Sequence, residues 1–128
     1  MIIAVVLFAG AAGMFFTDRH DKYVEQQRYE AMVALLDSCM EQEREDLLQI
    51  VNRHESFDIR KQAGMDAYEA CMEEYRECTR RHSAIRDSIT ATYDENDPLR
   101  EQLWQMWAHR ETDLNNELIP RITNKFRY

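Results

Sequence analysis

Glycine and proline are scarce in this sequence, which contains three glycines and two prolines among 128 residues. Because these residues interrupt helices and form tight turns, their scarcity favours helix over most of the chain. The alternation of apolar and polar residues that is typical of strands is also missing, as are low-complexity runs and short repeats. The composition therefore predicts an all-α fold.

Motifs for catalysis are missing as well. The sequence has no glycine-rich phosphate loop, no nucleophile elbow and no HExxH metalloprotease motif. Neighbouring acids such as Glu73 and Glu74 are typical of a solvated helix face, and nothing in the pattern brings them together in a pocket. We therefore expect a protein that is not an enzyme and that binds neither a cofactor nor a small-molecule substrate.

Cysteine is also rare. Cys39, Cys71 and Cys78 permit at most one internal disulfide, and their spacing matches no zinc or redox motif. Cys78 and His82 are four residues apart, so a helix would present both to one metal ion, but two ligands do not close a structural zinc site. The sequence thus predicts no metal site, and it predicts reduced thiols buried on an apolar seam.

Positive charge is in deficit, since 16 Lys and Arg face 24 Asp and Glu and the formal net charge is −8. A nucleic-acid partner needs clustered Lys and Arg to neutralise phosphates. This balance therefore argues against nucleic-acid binding.

One long apolar segment is present, and it covers residues 2–16 without a charge. As a helix, residues 1–17 would be about 25 Å long, slightly short of a ~30 Å hydrocarbon core. A thinned bilayer or neighbouring helices would cover the difference. The sequence predicts a single transmembrane anchor at residues 1–17, with membrane lipids as partners. Its strongly apolar anchor residues are Ile2, Ile3, Val5, Val6, Leu7, Phe8, Phe15 and Phe16.

Two other interpretations of this segment exist. A cleaved secretory signal has a similar apolar length, and Ala9, Gly10 and Ala11 resemble a cleavage site, but no Lys or Arg precedes the run. A buried helix of a soluble core is the second alternative. The retained anchor is the prediction that we carry forward.

Residues 18–93 are predicted to form long charged helices with a partly coiled-coil-like seam. With Val33 at heptad position a, thirteen of the twenty a and d positions from 26 to 92 are apolar. Apolar density is lowest between His54 and Gly64, so the seam is compatible with one long helix or with a kinked or hairpin pair, and we favour the second. The polar residues on the seam indicate that it packs against a partner or against the chain's own return helix.

A short C-terminal helix is predicted at residues 98–119, after a polar break at residues 94–97. Asp97 suits the N-cap and Pro98 the first turn, whereas Pro120 is expected to end the helix. The apolar stripe on this helix is predicted to dock on a separate partner surface, with the helix's own neighbours as the alternative. The predicted docking residues are Leu99, Leu103, Trp104, Trp107 and Leu114.

The tail, residues 120–128, alternates basic and aromatic side chains. This pattern suits an acidic protein surface or lipid headgroups, and a solvated disordered end is the alternative. We expect contact rather than disorder.

In general architecture, a short anchor with a long charged helical extension resembles the supernumerary single-span subunits of respiratory complexes and ATP synthases. This resemblance implies a non-catalytic accessory subunit that anchors and bridges other subunits of a membrane complex. Arg19, Lys22 and Arg28 follow the apolar run, so the positive-inside rule puts the helical part in the matrix or cytoplasm, with the mitochondrial inner membrane as the expected location. The alternative is a phage or bacterial single-span envelope protein with a periplasmic helical domain, similar in outline to the inner-membrane spanins.

Overall fold

The structure, a computed structural model, describes residues 14–128, with side chains from residue 21 onward. This part of the chain is predominantly helical, as the composition predicts. Its elements, in chain order, are helix α1 (Met14–Asn52), strand β1 (Phe57–Asp58), helix α2 (Gln62–Thr90), helix α3 (Pro98–Thr123) and strand β2 (Phe126–Arg127).

The predicted membrane anchor falls mostly outside the described residues. Phe15 and Phe16 lie in the described part of α1, whereas the other predicted anchor residues precede residue 14. Among the helices of residues 14–128, none has the length and apolar character needed to cross a bilayer.

Contacts divide the chain into two units, Met1–Leu35 and Leu36–Tyr128. The described part of the first unit is entirely helical. Its side chains are mostly exposed and include Val24, Tyr29 and Leu35, whereas Met32 is buried.

The second unit is a three-helix bundle in which the seam folds back on itself. Asp46 contacts His82, and Glu43 contacts Arg86. A residue earlier in α1 thus pairs with a residue later in α2. These two helices are therefore antiparallel. The hairpin confirms the prediction of two segments over one continuous helix.

Helix α3 returns parallel to α1. Arg44 pairs with Glu117 and Asp37 pairs with Arg110, and both pairs are separated by 73 residues. A constant separation is the mark of parallel helices in fixed register.

The turn between α1 and α2 contains a close approach of two backbone segments. A Cβ atom added to Gly64 would lie 1.9 Å from the carbonyl oxygen of Asp58. Only glycine fits there without displacing the backbone. The segment of low apolar density that the sequence shows between His54 and Gly64 coincides with this turn.

The predicted seam is the core of the bundle, and it keeps its phase on both sides of the turn. Five seam positions depart from this pattern because they are exposed, namely Gln26, Tyr29, Lys61, Ile85 and Thr92. The buried seam residues are Leu36, Met40, Glu43, Leu47, Ile50, Phe57, Cys71, Tyr75 and Cys78.

The third helix begins as the sequence predicts but ends later. The Asp97 side chain accepts a hydrogen bond from the Leu99 N–H at 3.0 Å, with Pro98 at the first helical position. The predicted end at residue 119 is wrong, because the helix continues through Pro120 to Thr123. Proline removes one N–H donor, but burial of Ile122 holds the next turn in helical geometry.

The C-terminal tail folds onto its own chain. Strands β1 and β2 pair in parallel, with Phe57 opposite Phe126. The Phe57 N–H donates to the Lys125 carbonyl at 2.9 Å. The contact that the tail makes is therefore at least partly with its own chain. This two-residue strand pair accompanies a fold that is predominantly helical, in agreement with the all-α prediction.

Candidate functional site

The most chemically distinctive site lies between α1 and α2. His82 Nε2 and Asp46 Oδ2 are 2.9 Å apart, which is a hydrogen-bond distance. Cys78 precedes His82 by one helical turn and is fully buried. One candidate ligand atom from each of Asp46, Cys78 and His82 lies within 4.8 Å of the other two.

The surroundings of Cys78 keep its thiol protonated. Burial raises the pKa of Cys78 above its ordinary value of 9.0, whereas a hydrogen bond with the Arg81 side chain acts in the opposite direction. Burial likewise raises the pKa of Cys39 and of Cys71. All three cysteines are free of disulfide bonds in the structure.

Next to this site, a buried charge cluster joins all three helices. Arg86 Nη1 of α2 donates to Glu43 Oε1 of α1 and, at 2.8 Å, to Glu111 Oε2 of α3. The Glu43 side chain is 1% exposed, and the other two side chains are largely buried. Two carboxylates therefore share one guanidinium in the interior of the bundle.

This arrangement favours a proton on one of the two acids. Burial and the neighbouring Glu111 raise the pKa of Glu43 to about 8, and Arg86 offsets only part of this effect. Oε2 of Glu43 and Oε1 of Glu111 are buried and have no hydrogen-bond partner among the described residues as placed. A protonated Glu43 would donate to Glu111 and would reduce the cost of burying both groups.

A groove between α2 and α3 has Tyr75 in its wall. The Tyr75 hydroxyl donates to Asn115 Oδ1 at 2.7 Å. Burial, followed by the charge of Glu111, raises the pKa of Tyr75, so the phenol stays neutral. The groove has a volume of about 660 Å³ and is also lined by Arg76 and Ile119. The groove is open to solvent.

The predicted docking residues divide into buried and exposed side chains. Leu103, Trp107 and Leu114 are buried within the chain, where they form part of the core. Leu99 is half-buried. Trp104 is 59% exposed, which makes it the predicted docking residue most available to a partner.

Asp46 and the Glu43–Arg86–Glu111 cluster are the residues that sequence reasoning missed. Asp46 and His82 are 36 residues apart, so only the register of the helical hairpin brings them together. Glu43 occupies a predicted core position, and that buried acid was the one available signal for a charge partner on another helix.

Comparison of the chain with protein families, with characterised proteins and with solved structures finds no match.

Proposed function

We propose that this chain is a non-catalytic accessory subunit of a membrane protein complex. Residues 1–17 serve as the membrane anchor, and the helical part contacts neighbouring subunits. The mitochondrial inner membrane, with a respiratory complex or an ATP synthase as the host assembly, is the proposed setting.

The overlap of α1 with the uncharged segment of residues 2–16 supports this proposal. The described part of α1, Met14–Asn52, includes the last three residues of the uncharged segment at 2–16. A segment so rich in apolar residues is costly to leave in water, and a bilayer is the environment that accommodates it.

The surface around Trp104 is the proposed contact with a neighbouring subunit. Trp104 lines a shallow depression of about 290 Å³. Asp87, Glu95 and Glu101 also line it, with Arg100 as the one base. A large exposed aromatic side chain with an acidic surround fits a partner that offers an apolar pocket with basic residues at its rim.

Membrane attachment is tested by carbonate extraction of native membranes at high pH. The full chain should remain in the membrane pellet, because an anchor held by apolar burial is insensitive to loss of charge pairing. Quantitative release into the supernatant would overturn the anchor.

Docking is tested by co-purification of the full chain in a mild detergent. Trp104→Ala should reduce the recovery of neighbouring subunits while the far-ultraviolet circular dichroism and the membrane attachment stay unchanged. Ile119→Ala is the matched control, since it shortens another exposed apolar side chain on α3. Equal recovery of subunits with Trp104→Ala and with the control would exclude the Trp104 surface as the contact.

Protease protection in sealed membrane vesicles tests the orientation. The proposal expects the helical part on the matrix or cytoplasmic side, because Arg19, Lys22 and Arg28 follow the uncharged segment. Cleavage from the opposite side would favour the envelope-protein alternative.

A further inference from the structure

The structure brings together three side chains of the kinds that bind zinc. Cys78 and His82 lie on one face of α2, and Asp46 reaches them from α1. Thiolate, imidazole and carboxylate groups are the standard protein ligands of zinc. We propose that Asp46, Cys78 and His82 form a zinc site that joins α1 to α2, a function separate from the docking role proposed above.

The geometry needs only a small adjustment to accept the ion. Bonds of ~2.0–2.2 Å to nitrogen and oxygen at a tetrahedral angle put those two atoms about 3.3 Å apart. His82 Nε2 and Asp46 Oδ2 are 2.9 Å apart, so the pair must open by roughly 0.4 Å. The three ligand atoms already lie within 4.8 Å of one another, which side-chain rotations of modest size would reduce to coordination distances.

Burial of the three residues gives the site an inner and an outer side. Cys78 is fully buried, the His82 side chain is 12% exposed and that of Asp46 is 34% exposed. The ion therefore enters past Asp46 and meets the sulfur last. Three protein ligands leave a fourth position for water, as in zinc sites that keep an open coordination position.

The ligand set also selects the class of metal. Sulfur and imidazole nitrogen disfavour Mg²⁺ and Ca²⁺, which prefer oxygen ligands. Binding requires the thiolate, so the Cys78 thiol releases its proton to solvent when the ion binds. Once bound, the ion links two helices and stabilises the folded state, because the unfolded chain does not hold the three ligands together.

Titration of the full, reduced, metal-free chain in a mild detergent with Co²⁺ tests the site. Cobalt occupies zinc sites and reports a thiolate ligand through a charge-transfer band in the near ultraviolet. We expect one equivalent to produce this band, and one equivalent of Zn²⁺ to abolish it and raise the melting temperature. Absence of the band from the unmodified chain would overturn the proposal.

Variants of the ligands locate the ion. Cys78→Ser should abolish the band, and Asp46→Asn and His82→Gln should weaken Co²⁺ binding by about tenfold or more. If Cys78→Ser fails to fold, Asp46→Asn still tests the proposal, because Asp46 lies at the exposed edge of the site. Circular dichroism of each variant establishes that it is folded.

Matched controls use the same residue types outside the site. Cys71→Ser changes a second buried cysteine of α2, and His109→Gln changes an exposed histidine of α3. Both variants should bind one equivalent of Co²⁺ with unchanged affinity. Loss of the band in folded Cys71→Ser, or its retention in Cys78→Ser, would refute the assignment and leave the His82–Asp46 contact as an ordinary hydrogen bond.

Discussion

Arg86 of α2 forms an ion pair with Glu43 of α1, and both side chains are almost completely withdrawn from solvent. The same guanidinium reaches Glu111 of α3, so one cation connects the three helices of the bundle. Burying charges is costly, and the cost is offset here by direct pairing and by partial neutralisation of Glu43. The cluster therefore fixes which helix faces meet.

Removal of the shared cation should be strongly destabilising. Arg86→Met retains much of the side-chain volume but leaves Glu43 and Glu111 buried without the cation that they share. Breaking a buried pair on one side costs about 3–5 kcal/mol. We expect a loss of this size in the free energy of unfolding, measured by urea denaturation at pH 7.

Arg76→Met is the control for this change. Arg76 pairs with Glu73 at 3.2 Å on an exposed helix face. Surface pairs of this kind contribute little to stability, because solvent and salt screen them. Equal losses in the free energy of unfolding for the two variants would show that the buried cluster contributes no more to stability than a surface ion pair.

Stability should decrease as the pH rises from about 5 to about 8. The pKa of Glu43 is raised from 4.5 to about 8 in the folded chain, so the folded state retains a proton that the unfolded state has lost. The groups that face Glu43 are Arg86, which favours its ionised form, and Glu111, which opposes it. Burial and Glu111 raise the pKa of Glu43 more than Arg86 lowers it, so the folded state loses stability as the pH rises.

Glu43→Gln isolates this effect. The variant resembles the protonated side chain, so its free energy of unfolding should lose the part of the pH dependence that Glu43 causes. The difference between the two profiles should reach the order of 1–4 kcal/mol at pH 8, since one pKa unit corresponds to ~1.4 kcal/mol. Parallel profiles across this range would contradict the raised pKa.

Much of the bundle could be predicted because its core follows a local pattern. Leu36, Met40 and Leu47 before the turn, and Cys71 and Tyr75 after it, all occupy predicted seam positions and are buried. Heptad spacing alone places such residues on one helix face. The start of α3 was predictable for a similar reason, since capping depends on adjacent residues.

Features that depend on distant residues escaped the sequence analysis. Lys125 and Phe57 are joined by a backbone hydrogen bond that no local pattern encodes. Asp46 and His82 are 36 residues apart, and only the register of the hairpin brings them together. The docking stripe was ambiguous because an apolar helix face looks the same whether its own chain or a partner covers it.

Gly64→Ala should destabilise the chain although alanine is the better helix former. Helix propensity favours alanine by ~1 kcal/mol, but the added Cβ would meet the Asp58 carbonyl oxygen at 1.9 Å. Backbone atoms cannot move aside as a flexible side chain does, so we expect a net loss of about 1–3 kcal/mol in thermal unfolding. Ala63→Ser, which enlarges an exposed neighbour by one atom, should have little effect. A Gly64→Ala variant that melts at a higher temperature than the unmodified chain would show that Gly64 and the Asp58 carbonyl do not lie this close together.

Phe126→Ala should loosen the attachment of the C-terminal tail. The Phe126 ring packs edge-on against Tyr68 at a centroid distance of 4.9 Å and against Phe57 at 6.3 Å. Because Phe126 is only half-buried, we expect a loss of about 1–3 kcal/mol, less than for a fully buried phenylalanine. Hydrogen exchange should then be faster at the N–H groups of Phe57 and Ile59, which donate to the tail. Tyr128→Ala removes an 80% exposed ring and should change neither measurement. Unchanged exchange in Phe126→Ala would mean that the backbone pairing holds the tail without the aromatic contacts.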